Sequence, residues 1–222
     1  MLTRLAACAA ALVLVPTLAS CGSGSSSTAA TGGTPCSYPS DTSGQAARQV
    51  DPPPSSTTLD GSVPLTLDTS VGILKGTLDA TAAPCTVSSF VSLARQGYFD
   101  NTPCHRLTTA GIYVLQCGDP TGTGSGGPGY TVPDELSGKE TYGPGVLAMA
   151  NTGQPNSGGS QFFIVYADST ANLQKLYTVF GKLDARSVKT VEKVASKGTD
   201  NANGPGDGHP KEKVTITKAT TG

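Results

Sequence analysis

The sequence predicts a mainly-β domain, a closed or nearly closed antiparallel barrel capped by two helices. Three observations predict it. Short apolar runs of strand length recur from residue 61 onward, separated by clusters of Gly, Pro, Ser and Thr. Two stretches carry apolar residues at helical spacing, and no internal repeat is present. Gly is abundant, with 28 residues, and charged residues make up only 14% of the chain, which suits a loop-rich β protein.

The elements follow in order. "SVPLTLDTSVGILKGTLD" alternates apolar and polar residues about a Thr-Ser-Val-Gly turn, the pattern of a hairpin. Pro84 opens a helix that carries Val87, Phe90, Val91, Leu93 and Ala94 at helical spacing, and Gly97 ends it. "PCHRLTT" and "IYVLQC" read as paired strands, "GVLAMAN" and "SQFFIVY" as two more, and "LYTVFGKL" as another. Val188, Val191 and Val194 recur at i, i+3 and i+6, which predicts a second amphipathic helix. "EKVTITKAT" closes the chain as a strand.

The first 60 residues read differently. Arg4 supplies a short positive region, and "LAACAAALVLVPTLA" is an apolar run too short to span a bilayer comfortably. Leu18, Ala19 and Ser20 precede Cys21, the pattern of a bacterial lipobox. The expectation is a signal peptide over 1–20 and a lipid-bearing Cys21, which puts the rest on the outer face of a bacterial cell membrane. An ordinary secretory signal or an uncleaved anchor is the alternative, and each is extracytoplasmic. Residues 21–60, rich in Gly, Ser and Pro, read as a flexible tether pinned only at Cys36 and Tyr38. Residues 61–222 are the folded domain. The net charge of −1 gives no support for a nucleic-acid partner.

Six cysteines occur. Removing Cys8 with the signal and assigning Cys21 to lipid leaves Cys36, Cys85, Cys104 and Cys117. An even number in an oxidising compartment predicts two disulfides. Four cysteines allow three pairings. Cys104–Cys117 with Cys36–Cys85 is favoured, because a hairpin would bring the first two together. Zinc ligation needs close cysteine pairs, and none is present, so no metal site is expected. Gly122, Gly124 and Gly127 match G-x-G-x-x-G, but Pro128 and Pro133 follow and no helix can begin there to meet a pyrophosphate.

Three ordered blocks carry a family resemblance: "CHRLTTAGIYVLQCGDPTGTGSGGPGYTVPDE", "GVLAMANTGQPNSGGSQFFIVY" and "YTVFGKL". Together they resemble the cyclophilin peptidyl-prolyl cis–trans isomerases over roughly residues 60–220. The resemblance implies a closed eight-stranded antiparallel barrel with a helix at each end and a site on its outer face. It implies Arg106 as the catalytic arginine and Gln116 as its orienting partner. Asn151 falls on the position that grips substrate backbone, with Gln161 nearby. Phe163, Leu173, Tyr113 and Val114 fall on the walls of a proline pocket. The chain between Arg106 and Gln116 is two residues longer than the usual pattern. Tyr177 stands where many members have a rim histidine, and Asn172 where drug-sensitive members have tryptophan.

These residue types suit the chemistry. Rotation about an X-Pro amide crosses a barrier of about 18–20 kcal/mol. No bond is cleaved, so neither nucleophile nor cofactor is required. Twisting localises a lone pair on the prolyl nitrogen, and an arginine N–H aimed there binds the twisted state better than the planar one. Arginine stays charged at any relevant pH. The expected partners are proline-containing polypeptides, and a monomer is expected. His105 reads as structural, and Asp119 as serving the turn before Pro120. Two rival functions remain: a proline-peptide-binding module with little turnover, and a redox protein using Cys104 and Cys117. The absence of C-x-x-C counts against the second rival.

Overall fold

The computed structural model describes residues 32–41 and 46–222. Cys21 and the expected signal segment lie outside the described residues. In chain order the strands are β1 (Thr34–Pro35), β2 (Ser56–Thr57), β3 (Ser62–Thr69), β4 (Gly72–Asp79), β5 (Thr102–Pro103), β6 (Arg106–Thr108), β7 (Val114–Cys117), β8 (Val146–Met149), β9 (Phe162–Val165), β10 (Val179–Leu183), β11 (Asp207–Gly208) and β12 (Thr215–Thr221). Helix α1 (Pro84–Arg95) follows β4, and α2 (Ala185–Ala195) follows β10.

The expected hairpin is β3–β4, in unbroken register from Ser62 opposite Asp79 to Thr69 opposite Gly72. Both expected helices form. Pro84 sits in the first turn of α1, and the Glu135 carboxylate accepts from Cys85 N at 2.9 Å and Thr86 N at 2.8 Å, which satisfies two otherwise orphaned N–H groups. Asp184 caps α2 by accepting from Ser187 N at 2.7 Å. Val188, Val191 and Val194 of α2 are all buried, as their spacing requires.

The sheet departs from expectation. It is one strongly curled antiparallel sheet of ten strands in the order β11-β6-β7-β9-β8-β10-β4-β3-β12-β5, rather than a closed eight-stranded barrel. The two edge strands, β11 and β5, are only two residues long and do not pair with each other. A cavity of about 570 Å³, lined by Pro103, His105, His209 and Pro210 among others, lies beside both edges. Proline at an edge removes a ladder donor and blunts further pairing.

Both faces of the middle strands are covered, and this positions the site. Leu107, Leu115, Phe162 and Ile164 face the main core with α1 and α2. Val114, Ala148, Phe163 and Val165 face outward into a second apolar cluster with Tyr142, Leu173 and Tyr177. Strand alternation therefore assigns adjacent residues, such as Phe162 and Phe163, to opposite layers.

The segment expected as a tether is held at many points within its described part. β1 pairs with β2. Cys36 is bonded to Cys85, and Tyr38 Oη donates to Cys85 O at 2.8 Å. Arg48 Nη1 donates to the carbonyls of Tyr98 at 2.9 Å and Asp100 at 2.6 Å, just beyond α1. Asp51 N donates to Gln96 Oε1. Val50 and Leu59 add isolated apolar contacts with the core, and a segment without apolar periodicity gives no pattern that registers any of these. The second disulfide is Cys104–Cys117, so both favoured pairings form.

Candidate active site

Register builds the site. Arg106 on β6 is the Cα partner of Gln116 on β7, Gln116 is the partner of Phe163 on β9, and Phe163 is the partner of Ala148 on β8. Residues in one cross-strand row share a face. The row therefore puts an arginine, a glutamine and a buried aromatic ring side by side on the outer face of the sheet.

Arg106 is held from two sides. Its Nη1 donates to Gln116 Oε1 at 3.3 Å. Its Nε and Nη2 donate to Asp207 Oδ1 at 2.9 Å and Oδ2 at 2.6 Å, a bidentate pair. The hydrogen-bonded Asp207 carboxylate raises the Arg106 pKa, and Arg106 in turn lowers that of Asp207. Gln116 is itself oriented, because its Nε2 donates to Gln161 Oε1 at 2.9 Å. Gln161 Nε2 then donates to the carbonyls of Gly124 and Gly126.

That glycine-rich loop is organised by Asp119, which is fully buried. Its carboxylate accepts from the backbone N–H groups of Thr121, Gly124 and Gly126 and from the Thr121 hydroxyl. Burial pushes this carboxyl up, and the Thr121, Gly126 and Gly124 hydrogen bonds outweigh it, so it sits below the usual range. A Cβ at Gly126 would collide with the same carboxylate, which is why glycine stands there. Asp119 thus serves the whole loop rather than only the turn before Pro120. His105 is buried against this loop, and burial lowers its pKa.

Beside Arg106 opens a cavity of about 140 Å³ lined by Arg106, Ile112, Val114, Gln116, Ala150, Asn151, Phe163, Leu173 and Tyr177. Its wall is aromatic: the Phe163 and Tyr177 rings meet edge-on at 5.3 Å, and buried Tyr142 backs them, donating to Tyr177 O at 3.1 Å. Asn151 stands at the rim. Its side chain is occupied, with Nδ2 donating to Leu176 O and Oδ1 accepting from Gly153 N, so its own backbone is presented in fixed orientation. A second cavity, of about 370 Å³, shares Gln116, Ala150 and Asn151 with the first and is lined further by Gln161 and the glycine-rich loop.

The structure gathers Arg106, Gln116, Val114, Asn151, Phe163 and Leu173 around the first cavity. Gln161 stands behind Gln116. Tyr113 does not belong to this lining. Its ring packs at 6.0 Å against Tyr166 and its residue joins the main core. Ile112 lines the cavity instead. The reason is strand parity: Ile112, Val114 and Gln116 share a face, and Tyr113 points to the other. That parity was available in the sequence. Asp207, which lies 101 residues from Arg106, had no local signal beyond a turn-rich "GPGDGHP". Asn172 is exposed and outside the lining, and its Nδ2 donates to Gly111 O at 2.6 Å.

The family model described as cyclophilin type peptidyl-prolyl cis-trans isomerase/CLD matches residues 64–221, and the chain belongs to this family. Among relatives, a Mycobacterium tuberculosis protein named probable peptidyl-prolyl cis-trans isomerase B is 46% identical over 168 residues, covering 70% of this chain and 53% of that protein. The Mycobacterium leprae protein of the same name is 43% identical over 199 residues, covering 83% of this chain and 65% of that protein. The chain thus spans between half and two thirds of these relatives. Among solved structures, a Cryptosporidium parvum cyclophilin type peptidyl-prolyl cis-trans isomerase superposes with a TM-score of 0.63 at 31% identity, covering 72% of this chain and 98% of that one. A structure of the same enzyme in the presence of the dipeptide Ala-Pro superposes with a TM-score of 0.62 at 30% identity.

Proposed function

We propose that the protein is a peptidyl-prolyl cis–trans isomerase that accelerates X-Pro isomerisation in extracytoplasmic polypeptides and is tethered to the outer face of a bacterial membrane through a lipid on Cys21. The single observation that carries the activity is Arg106, oriented by Gln116 at the mouth of a small apolar cavity. The cavity takes the proline ring on Phe163, Val114, Leu173 and Ile112. The backbone of Asn151 holds the residue before proline while the far side of the bond turns. Arg106 donates a hydrogen bond to the prolyl nitrogen as its lone pair localises. This interaction is weak in the planar amide and strong in the twisted one, so it lowers the barrier rather than merely binding substrate. The Ala-Pro dipeptide used with the Cryptosporidium enzyme fits this substrate class.

The location rests on the lipobox pattern ending at Cys21 and on the two disulfides, which persist in oxidising compartments. A protease-coupled assay on a prolyl peptide tests the activity. Exchange well above the uncatalysed rate supports the reading. Binding of the peptide without exchange leaves a proline-peptide-binding module in its place.

A further inference from the structure

We infer that Asp207 is a positioning residue for catalysis, a carboxylate that fixes the Arg106 guanidinium so that its remaining N–H groups face the prolyl nitrogen. The inference rests on the isomerase reading above. A guanidinium carries five N–H groups. Asp207 occupies the Nε–H and one on Nη2, and Gln116 occupies one on Nη1. One N–H on Nη1 and one on Nη2 remain for substrate. A free arginine side chain samples many rotamers, whereas a side-on bidentate pair sets both the plane and the direction of the fork. Gln116 adds one contact at 3.3 Å, which directs one N–H but by itself leaves the plane of the fork unset.

The segment that carries Asp207 is built to present it. β11 pairs with β6, with Asp207 opposite Thr108 and Gly208 opposite Leu107. Thr109 N donates to Gly206 O at 2.7 Å, and Asp207 N donates to Gly204 O at 2.9 Å. Asn203 Nδ2 donates to Asp207 Oδ1, which steadies the same oxygen that accepts from Arg106 Nε. Asp200 organises the outer part of the loop, accepting from Ala202 N and His209 N and meeting the His209 ring at 2.9 Å. Side chains are excluded where the loop is tightest: a Cβ at Gly206 would lie 2.7 Å from Ala110 Cβ, and one at Gly208 would collide with Asp200. The loop's backbone is thus held without the Asp207 carboxylate, so a change confined to that carboxylate leaves the scaffold in place. The rest of this short edge makes a ledge on β6 that delivers one acidic group to one arginine.

The pairing also shapes how Arg106 acts. With a carboxylate along one edge, the guanidinium works by directed hydrogen bonds more than by diffuse positive charge. Its effect should then depend on orientation, which Asp207 supplies.

The test is a double-mutant cycle on the full chain, measuring prolyl isomerisation by NMR exchange and peptide affinity by titration. Asp207→Ala should lower kcat/KM by about tenfold or more, carried by kcat with KM nearly unchanged, since misplacement of a catalytic group spares ground-state binding. Asp207→Ala placed in an Arg106→Ala background should cause no further loss, because the carboxylate acts through the arginine. The Arg106 Nε–H resonance should move and exchange faster in Asp207→Ala, a change that loop loosening elsewhere would not produce. Unchanged kcat in Asp207→Ala overturns the inference. So does an equal loss in both backgrounds, which would make the effect one of loop structure. If Asp207→Ala fails to fold, Asp207→Asn, of the same shape, is read by the same criteria. A wild-type protein without turnover overturns the isomerase reading instead, and an Nε–H resonance indifferent to Asp207 then overturns the pairing as well.

Discussion

Replacing Arg106 by alanine separates catalysis from stability in a way the structure allows to be sized. The side chains of Arg106 and Asp207 are 35% and 26% exposed, so their pair is substantially screened. Pairs of this kind contribute about 0–1 kcal/mol to folding. For a domain of this size each 1 kcal/mol moves Tm by about 2–4 °C, so Arg106→Ala should melt within a few degrees of wild type. Catalysis should respond far more. Removing one donor aimed at transition-state charge typically costs about 10²–10³ in rate, and kcat/KM should fall by that factor in a protease-coupled prolyl assay. Arg106→Lys should recover little, since an ammonium cannot make the side-on pair with Asp207. The small stability difference has a pH signature. Arg106 lowers the Asp207 pKa, so the pair's contribution is complete above the ordinary carboxylate value of about 4 and is lost as pH falls through the lowered one. The Tm gap between wild type and mutant should therefore close in acid. A loss of kcat/KM smaller than tenfold, in a mutant that melts normally, would refute the mechanism.

Three further outcomes are expected. Cys21→Ser should abolish lipidation and its coupled cleavage, and a mutant that still carries labelled palmitate would show the lipobox reading to be wrong. Thiol titration of the denatured, unreduced mature protein should find none of Cys36, Cys85, Cys104 and Cys117 free; two free thiols per chain would rule out the two-bridge structure. The bridges close loops of sequence separation 49 and 13, for which the chain-entropy account gives about 4 and about 3 kcal/mol. Cyclosporin should bind about ten- to a thousandfold more weakly than to tryptophan-bearing family members, since Asn172 offers no indole face and its amide already donates to Gly111 O. Inhibition of wild type and of Asn172→Trp measures this, and tight wild-type inhibition or no gain in the mutant would contradict the alignment of that loop.

Much of the fold was legible because its longer elements are periodic. The β3–β4 hairpin, α1 between Pro84 and Gly97, and the valine stripe of α2 each announce themselves within one short continuous stretch of chain. Strands β1, β2, β5 and β11 were not legible, because two residues carry no period. With β5 and β11 went the ten-stranded count and the open edges of the sheet. In the site, Arg106, Gln116, Phe163, Val114, Asn151 and Leu173 came from family blocks and converge on one cavity. Tyr113 lies in a connection of altered length, and strand parity gives its expected place to Ile112.

The sequence by itself determined what is local or covalent in kind: which runs alternate, where helices start and stop, and how many cysteines are available to pair. It also determined the family, since three blocks in order are a property of the chain. Only the tertiary structure decided which distant groups meet. The row Arg106–Gln116–Phe163 exists because β6, β7 and β9 adopt one register, and a slip of one residue would send all three to the opposite face. Asp207 reaches Arg106 because a two-residue strand docks on the edge of β6. Residues 46–60 are joined to the end of α1 and the turn beyond it by hydrogen bonds from Arg48 and Asp51, with Val50 and Leu59 packed against the core. Such isolated contacts leave no pattern in the sequence, because single residues meeting single partners need no periodicity.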